Sequence, residues 1–562
     1  MSLNKRAVAT TFTILLVVSL ASLAFHLNLA VSSTVITVSL GGSIQAAIDA
    51  AQEGDTVFVE AGQYVGNITV NKSLNLVGEN QSTTIIDGGG NPRWGPKPMS
   101  VVLVQANYVN ISGFTIQNSS YGLSGIVTLA LGLPAGGIGL SGSIGCAIRN
   151  NTIQDCVAGV AICNGSGKTT VSNNNFAWTF GWSVFSNTPV NVSPVGGDII
   201  TDNNISNGIY SSAPNNEITG NQLKGGIHFY TNRSGNNIVS DNTISSFGVL
   251  VENASNNVII NNTISGGLTL QYSGNNTLRL NTISGGLTLQ YSGNNTLRRD
   301  NVSSFDVTGS ELSDFLNDID TSNTVNGSAM YYLLNQSRLL INPFTYPDIG
   351  YLGLVNSAYI NVWRLTMANN GLGLMLAQTT NSIIDEVSVS GEQEGIYLWN
   401  CYNCTIMGST ITSSNYDGID MNLCRNSTIR GNTLWGNGVY LAGSGNNTFY
   451  RNNFIFAPVY LADQLPNQWD DRYSIYPLGW EKRPVGNYWS DYTGQDDGTQ
   501  TQGMINYVGD GVGDTLLPCH GVDNYPLMKP WLPTLGDLDY NGIVGLSDLV
   551  ILAMHYGQHY PP

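Results

Sequence analysis

At 562 residues the chain is far longer than one small domain needs, yet only 10% of its residues are charged and 65 are glycine. A formal net charge of −17 argues against nucleic acid or an anionic lipid surface as a partner. The odd count of seven cysteines leaves at least one thiol unpaired.

Residues 1–33 hold Lys5 and Arg6, an apolar run from about Phe12 to Phe25, and small residues around Ala30 to Ser33. This pattern predicts a secretory signal peptide. The alternative is an uncleaved N-terminal anchor, the one route by which the chain would meet a membrane. Export fits the N-x-S/T sequons at Asn67, Asn110, Asn261, Asn275, Asn294 and Asn446, although an Asn/Thr-rich repeat also generates sequons by chance. The expectation is a secreted or cell-surface glycoprotein.

Residues 43–52 (SIQAAIDAAQ) place Ile44, Ala47, Ile48 and Ala51 on one helical face with Ser43 as N-cap. A short helix here would cover the open N-terminal end of a stack of strands. The chain beyond it is periodic. Residues 262–279 read NTISGGLTLQYSGNNTLR and residues 281–298 repeat them, a period of 19. A chain tolerates such duplication when one unit stacks on the next. The frame N-x-T-I-x-x-N-x-I also starts at Asn215, Asn236, Asn256, Asn275 and Asn294, in degenerate form at Tyr108, Gly145, Lys168 and Gly197, and again at Tyr359, Asn381, Asn403, Asn426 and Asn446. Fourteen coils are recognisable. Apolar alternation of period 2 means strands. Coils of about 20 residues with short strands and no helix predict an all-β, right-handed parallel β-helix with inward Ile, Leu and Val about 4.8 Å apart from coil to coil. The recurring Asn151, Asn174, Asn203, Asn221, Asn242, Asn262, Asn281, Asn432 and Asn452 read as a structural ladder, because Asn tolerates a left-handed bend and stacked amides bond to one another.

The chain divides into a signal or anchor (1–33), a first β-helix run with its N-terminal cap (34–302), an interrupting segment (303–356), a second run (357–456), a Trp/Tyr-rich C-terminal cap (457–532) and a small α module (533–562). The run IQAAIDAAQEGDTVFVEAGQY, then KSLNLVGE and TTIIDG, resembles the start of NosD-like proteins of the pectin-lyase superfamily. DFLNDIDTSNTVNGSAMYYLLNQS, GNYWSDYTG, GDGVGDT and DNYPLMKPW are also similar to stretches of that family. The resemblance implies a β-helix fold. Family members named for copper-enzyme maturation imply copper, but the histidines are scattered and the ten methionines form no cluster. Cys401 and Cys424 lie about one coil apart, either facing each other or as buried free thiols, and the lone C-x-x-C at Cys401 and Cys404 has no second half.

In the G-x-I-x-L strands of the second run, outward positions hold Met375, Tyr397, Asp420 and Tyr440, then Ala377, Trp399, Asn422 and Ala442. Glu394, Asp417 and Asn437 precede the glycine. Exposed side by side, Tyr397, Trp399, Asn422 and Tyr440 would bind carbohydrate by stacking and hydrogen bonding. Glu394, Asp417 and Asp420 would be the catalytic carboxylates of a polysaccharide lyase or glycoside hydrolase on the same face. NYDGID (415–420) resembles a polygalacturonase strand, without the rest of that family's pattern. Asp510 and Asp514 either hold calcium or only close a Gly-rich turn. Near the C-terminus D-x-D-x-N-G-x5-D sets Asp537, Asp539, Asn541, Ile543 (by its carbonyl) and Asp548 at the offsets of a Ca2+ loop. It resembles a single dockerin repeat, which implies a cohesin-like partner or a second dockerin-like half. The sequence leaves three readings open: a non-catalytic protein that binds a polysaccharide or surface glycan, an enzyme acting on one, or a structural rod.

Overall fold

The computed structural model describes residues 33–89, 100–119, 135–187, 195–391, 394–412, 416–436, 438–463, 465–472, 474–475, 482–499, 508–509, 511–532, 546 and 549. Over them the chain is a parallel β-solenoid. One sheet stacks 13 strands, from Val35–Val38 to Asp318–Ile319, and a second stacks 11, from Ile68–Val70 to Phe305–Thr308. Beyond residue 338 two further sheets hold six strands each, so there are more rungs than the frame alone reveals. Inward residues stack in register: Ile148 on Val171, Ile200 on Ile218, Ile259 on Leu278, all buried. The exact repeat places Leu268 on Leu287 and Tyr272 on Tyr291, the latter rings 4.9 Å apart and nearly parallel.

The asparagine ladder is present. The side-chain amide of Asn151 donates to Asn174, Asn174 to Asn203, and so on through Asn221, Asn242, Asn262 and Asn281 to Asp300, at 2.8 to 3.2 Å. Each side-chain oxygen also accepts the backbone N–H of the preceding rung's asparagine. The buried polar groups thus satisfy one another. Cys401 and Cys424 occupy a similar ladder, in which Cys401 donates its backbone N–H to Cys424 Sγ at 3.4 Å and Ser444 Oγ accepts from Cys424 N–H. All seven cysteines are buried free thiols.

Helix α1, Ile44–Ala50, forms with Ser43 as N-cap, its hydroxyl accepting from Ala46 N–H. Gln45 exchanges two hydrogen bonds with the backbone of Thr69, on the edge strand of the second sheet. Lys72 Nζ donates to the carbonyls of Ile48, Asp49 and Ala51 at the helix end. Among the described residues no helix is long and apolar enough to cross a membrane.

The third sheet runs through both halves, and in the interrupting segment it reverses. Strand Thr324–Val325 pairs antiparallel with Ser328–Leu334 across Asn326 (φ 49°) and Gly327 (φ 88°). Two successive positive φ values mark a type I′ hairpin turn, which Asn-Gly favours. From there Ser328–Leu334 pairs parallel with Ile349–Val355, and the sheet continues to Val459–Leu461. The interrupting segment also contains a short helix α2, Leu312–Phe315.

The reversal buries both faces of the strands beyond it. All six residues of Leu372–Ala377 are buried. Leu374, Leu376, Ile396 and Leu398 enter the core of the second run, while Met375, Ala377, Tyr397 and Trp399 pack into the core of the first. At the far end of the second run Trp469 stacks on Phe449 and Trp489 on Phe454, 4.4 and 4.2 Å between centroids.

Candidate functional site

The rows expected to form an exposed saccharide patch lie at the junction of the two runs. Tyr397, Trp399 and Asp420 are only 6%, 5% and 7% exposed. Trp399 faces Phe315 of α2, so its ring has no free face for a sugar. The expectation of an exposed stacking surface is corrected, and its cause is the hairpin at Asn326–Gly327, which lays this side of the sheet over the last rungs of the first run. Asn422 is half-buried and donates to Asp420 Oδ1 at 2.7 Å. Tyr440 is in register with Asp420 and half-buried.

The structure does bring the three carboxylates together, and adds Asp306 from Phe305–Thr308, the end strand of the second sheet. Burial, then Asp417 and Asp306, pushes Glu394 up to about 7. Burial, then Glu394 and Asp417, pushes Asp420 up to about 8, and burial pushes Asp306 up to about 6. Asp417 is raised by burial too. Asp306 Oδ1, Glu394 Oε2 and the Tyr351 hydroxyl are buried without a hydrogen-bond partner. The carboxylates thus meet at a largely buried junction, at which Glu394 and Asp417 remain half-buried. The calcium-loop residues Asp537, Asp539, Asn541, Ile543 and Asp548 lie outside the described residues, as do Asn437 and Asp510. Asp514 accepts a hydrogen bond from Gly498 N–H.

An accessible site lies elsewhere, on the outer face of the second sheet in the first run. There the outward residues line up as Phe185, Tyr210, His228, Leu250 and Thr269, each in register with the next. They floor a groove of about 840 Å³, walled by Phe180, Trp182 and Phe247. Phe185 and Tyr210 stack at 5.0 Å, His228 meets Tyr210 edge-on at 5.5 Å, and Trp182 leans on Tyr210 at 5.6 Å. Tyr230 meets His228 at 5.8 Å. Asn187 and Asn207 also line the groove, the Asn207 amide donating to the carbonyls of Thr179 and Gly181 and Asn187 Oδ1 accepting from Ser212 Oγ.

The flank is flat because it is glycine. Gly208, Gly226, Gly248 and Gly267 stand one above another, each accepting the amide of the preceding rung's strand wherever that rung exists, as Ile227 donates to Gly248 and Val249 to Gly267. A Cβ on Gly208 would reach within 2.7 Å of the Trp182 ring, and one on Gly226 within 2.5 Å of the next carbonyl. The close backbone approach excludes side chains there and opens the floor.

Burial lowers the His228 pKa, opposed by Glu252, whose carboxylate lies 3.4 Å from His228 Nε2. Burial, then Tyr230 and Glu252, pushes Tyr210 up to about 12. At neutral pH the floor is uncharged. Aromatic faces beside amides, in a groove spanning five rungs or about 19 Å, can stack on apolar ring faces and bond to hydroxyls. The frame applied to the first run would have found this row, since Gly208, Gly226, Gly248 and Gly267 are its glycines; the degenerate letters there hid it.

A family model described as NosD, periplasmic copper-binding protein, matches residues 183–364 and 352–494. No curated protein matches the chain. Among solved structures, a family 28 exopolygalacturonase of Yersinia enterocolitica shares 13% identity, with 66% of this chain and 78% of that chain covered and a TM-score of 0.28. PfbA, a surface adhesin of Streptococcus pneumoniae, shares 13% over 73% and 88%, with a TM-score of 0.24. The A-module of the mannuronan C-5 epimerase AlgE6 of Azotobacter vinelandii shares 12% over 76% and 92%, with a TM-score of 0.18. At such scores none of the three bears on the site.

Proposed function

Because the chain belongs to the NosD family, whose model matches more than half of it, we propose that it is an exported β-solenoid protein that binds a polysaccharide, without cleaving it, in the aromatic groove at Phe185, Tyr210 and His228. The observation that carries this reading is the groove on an outer face, where half-buried Tyr210 and His228 stand in one row with Leu250 and Thr269 beside half-buried Trp182, while Phe185 is buried against Tyr210 at one end. Export fits the family's periplasmic description and the leader-like residues 1–33. The carboxylates at the junction have no part in binding.

Copper is the group the family description names. Among the described residues no three His, Cys, Asp or Glu side chains are placed to hold a metal ion. His228 faces Glu252, and His520 faces Asp491 at 3.0 Å. Burial pushes the Cys156, Cys163 and Cys519 thiols up to about 12, away from the thiolate that copper prefers. The described residues do not fit a copper site, and no copper chemistry is derived. The loop Asp537, Asp539, Asn541, Ile543 and Asp548 is retained as a proposed Ca2+ module for attachment, tested by calcium titration of the full chain and of Asp539→Ala.

The test of the groove is a glycan-array screen of the full chain followed by calorimetry on each hit. Trp182→Ala and Tyr210→Ala should each weaken binding on the order of tenfold or more, the loss of one stacking face. Equal affinity in both variants would remove the groove from the function.

A further inference from the structure

The described side chains lining the groove include no Lys, Arg, Asp or Glu. Its titratable members are His228 and Tyr210. His228 is held toward its neutral form by burial, and Tyr210 ionises only far above neutral pH. The Glu252 carboxylate lies 3.4 Å from His228 Nε2 and is itself partly exposed. The nearest cation along the chain, Lys224, lies on an exposed turn beside Gly225 and is not among the lining residues. Around all of this the chain bears a net charge of −17.

Resting on the reading of this groove as the saccharide site, we propose that it takes a neutral glycan and rejects acidic ones. A neutral pyranose loses little on entering. Its C–H faces pack against Tyr210 and Trp182, and its hydroxyls find the Asn187 side chain and the Thr269 hydroxyl. A uronate brings one carboxylate per ring. Between Tyr210 and Leu250 that carboxylate gives up water, meets no cation on the floor, and stands beside Glu252. An ionised group desolvated without a partner is the expensive case of polar burial. Protonating His228 at acid pH does not reverse the preference, because Glu252 is already placed to take up that charge. The aromatic rungs are continuous from Phe185 to His228, and the row then turns to Leu250 and Thr269, so the aromatic end anchors and the far end tolerates variation.

The experiment is calorimetry on the full chain with neutral hexamers (β-1,4-glucose, β-1,3-glucose and β-1,4-mannose) and a galacturonate hexamer, at about 0.1 M and about 1 M salt. Long-range repulsion by the whole chain is screened within roughly 3 Å at 1 M salt, so discrimination set inside the groove persists there. The expected result is binding of a neutral hexamer, with galacturonate on the order of 100-fold weaker at both salts. Leu250→Arg, at an outward position that does not carry the core, is expected to raise galacturonate affinity at least tenfold. Galacturonate binding as tight as the best neutral hexamer, and lost in Tyr210→Ala, overturns the charge preference and leaves the groove standing. Discrimination that vanishes at 1 M salt also overturns it, assigning the selectivity to net charge. No binding of any hexamer overturns the groove reading itself, and this inference with it.

Discussion

Trp399 of the second run lies over Phe315 of α2 with their ring centroids 4.8 Å apart and the planes tilted by 32°. The two residues are 84 positions apart and belong to different halves of the solenoid, yet both are in one hydrophobic core. The contact is therefore a measure of how firmly the halves are joined. Trp399→Ala should destabilise by about 3–5 kcal/mol, as expected for truncating a buried aromatic. A double-mutant cycle with Phe315→Ala should return a coupling of about 0.5–1.5 kcal/mol. Denaturant unfolding followed by fluorescence reads both. Additive single effects would mean that the halves merely touch.

The carboxyls at the same junction make stability depend on pH in an unusual direction. Asp306, Glu394 and Asp420 are raised to about 6, 7 and 8 from ordinary values of 3.8 and 4.5. The groups facing them are Asp417, Tyr351 and Tyr397. A raised value means that the folded state keeps protons which the unfolded chain has already lost. The contribution is full below the ordinary values and disappears as pH rises through the folded ones. The urea midpoint should fall between about pH 5 and about pH 8.5. Asp198, Asp300, Asp385 and Asp523, each about 6, act in the same sense, so the part belonging to the junction is the difference between wild type and Asp420→Asn. Equal slopes in the two proteins would show that Asp420 holds no proton at neutral pH.

In the glycine column a methyl group is too much. A Cβ on Gly248 would fall far inside contact with the Gly267 carbonyl oxygen, which accepts the Val249 amide. Neither backbone can retreat without breaking the ladder. Gly248→Ala should cost on the order of 3 kcal/mol or more and should also reshape the groove. A thermal melt unchanged from wild type would show that the rungs stand too far apart for the clash.

The asparagine ladder gives the sharpest polar test. Asn242 donates to the carbonyls of Ile218 and Ser240 and to Asn262 Oδ1, and its own oxygen accepts twice from Asn221. Asn242→Ala leaves several buried groups unpaired and should destabilise by roughly 2–4 kcal/mol. Asn242→Asp keeps the oxygen that accepts from Asn221 but loses all three donations and sets a carboxylate against their acceptors, so at neutral pH it should be no milder. Amide exchange at residues 221 and 262 would report the local opening.

The parts of this fold that repeat were legible in the sequence, and the parts that happen once were not. Strands, inward residues and the Asn151-to-Asn281 ladder arise from a local period, because each rung meets only its neighbours. Helix α1 was visible from Ser43 and the spacing of Ile44, Ala47 and Ile48. The junction is a single long-range event, and the spacing of Tyr397 and Trp399 is the same whether the row meets water or another core. The one local sign was Asn326-Gly327 between Val325 and Ser328, the strongest short hairpin signal. The groove was within reach of the same frame, but Phe185 and Tyr210 sit in its degenerate copies. The Ca2+ loop remains a reading of spacing alone.

The first copy of the perfect duplication, residues 262–279, carries Thr269, the last floor residue of the groove, and the second, residues 281–298, stands between it and the junction, which begins at Phe305. Each unit of 19 residues inserts one rung, Leu287 upon Leu268, and leaves the neighbouring rungs as they were. Gaining or losing a copy would therefore shift the whole second half by one strand spacing, about 4.8 Å, together with one increment of twist, while groove and junction stay intact. Copy number acts as a ruler, by which the gene sets in whole steps how far the groove stands from the junction.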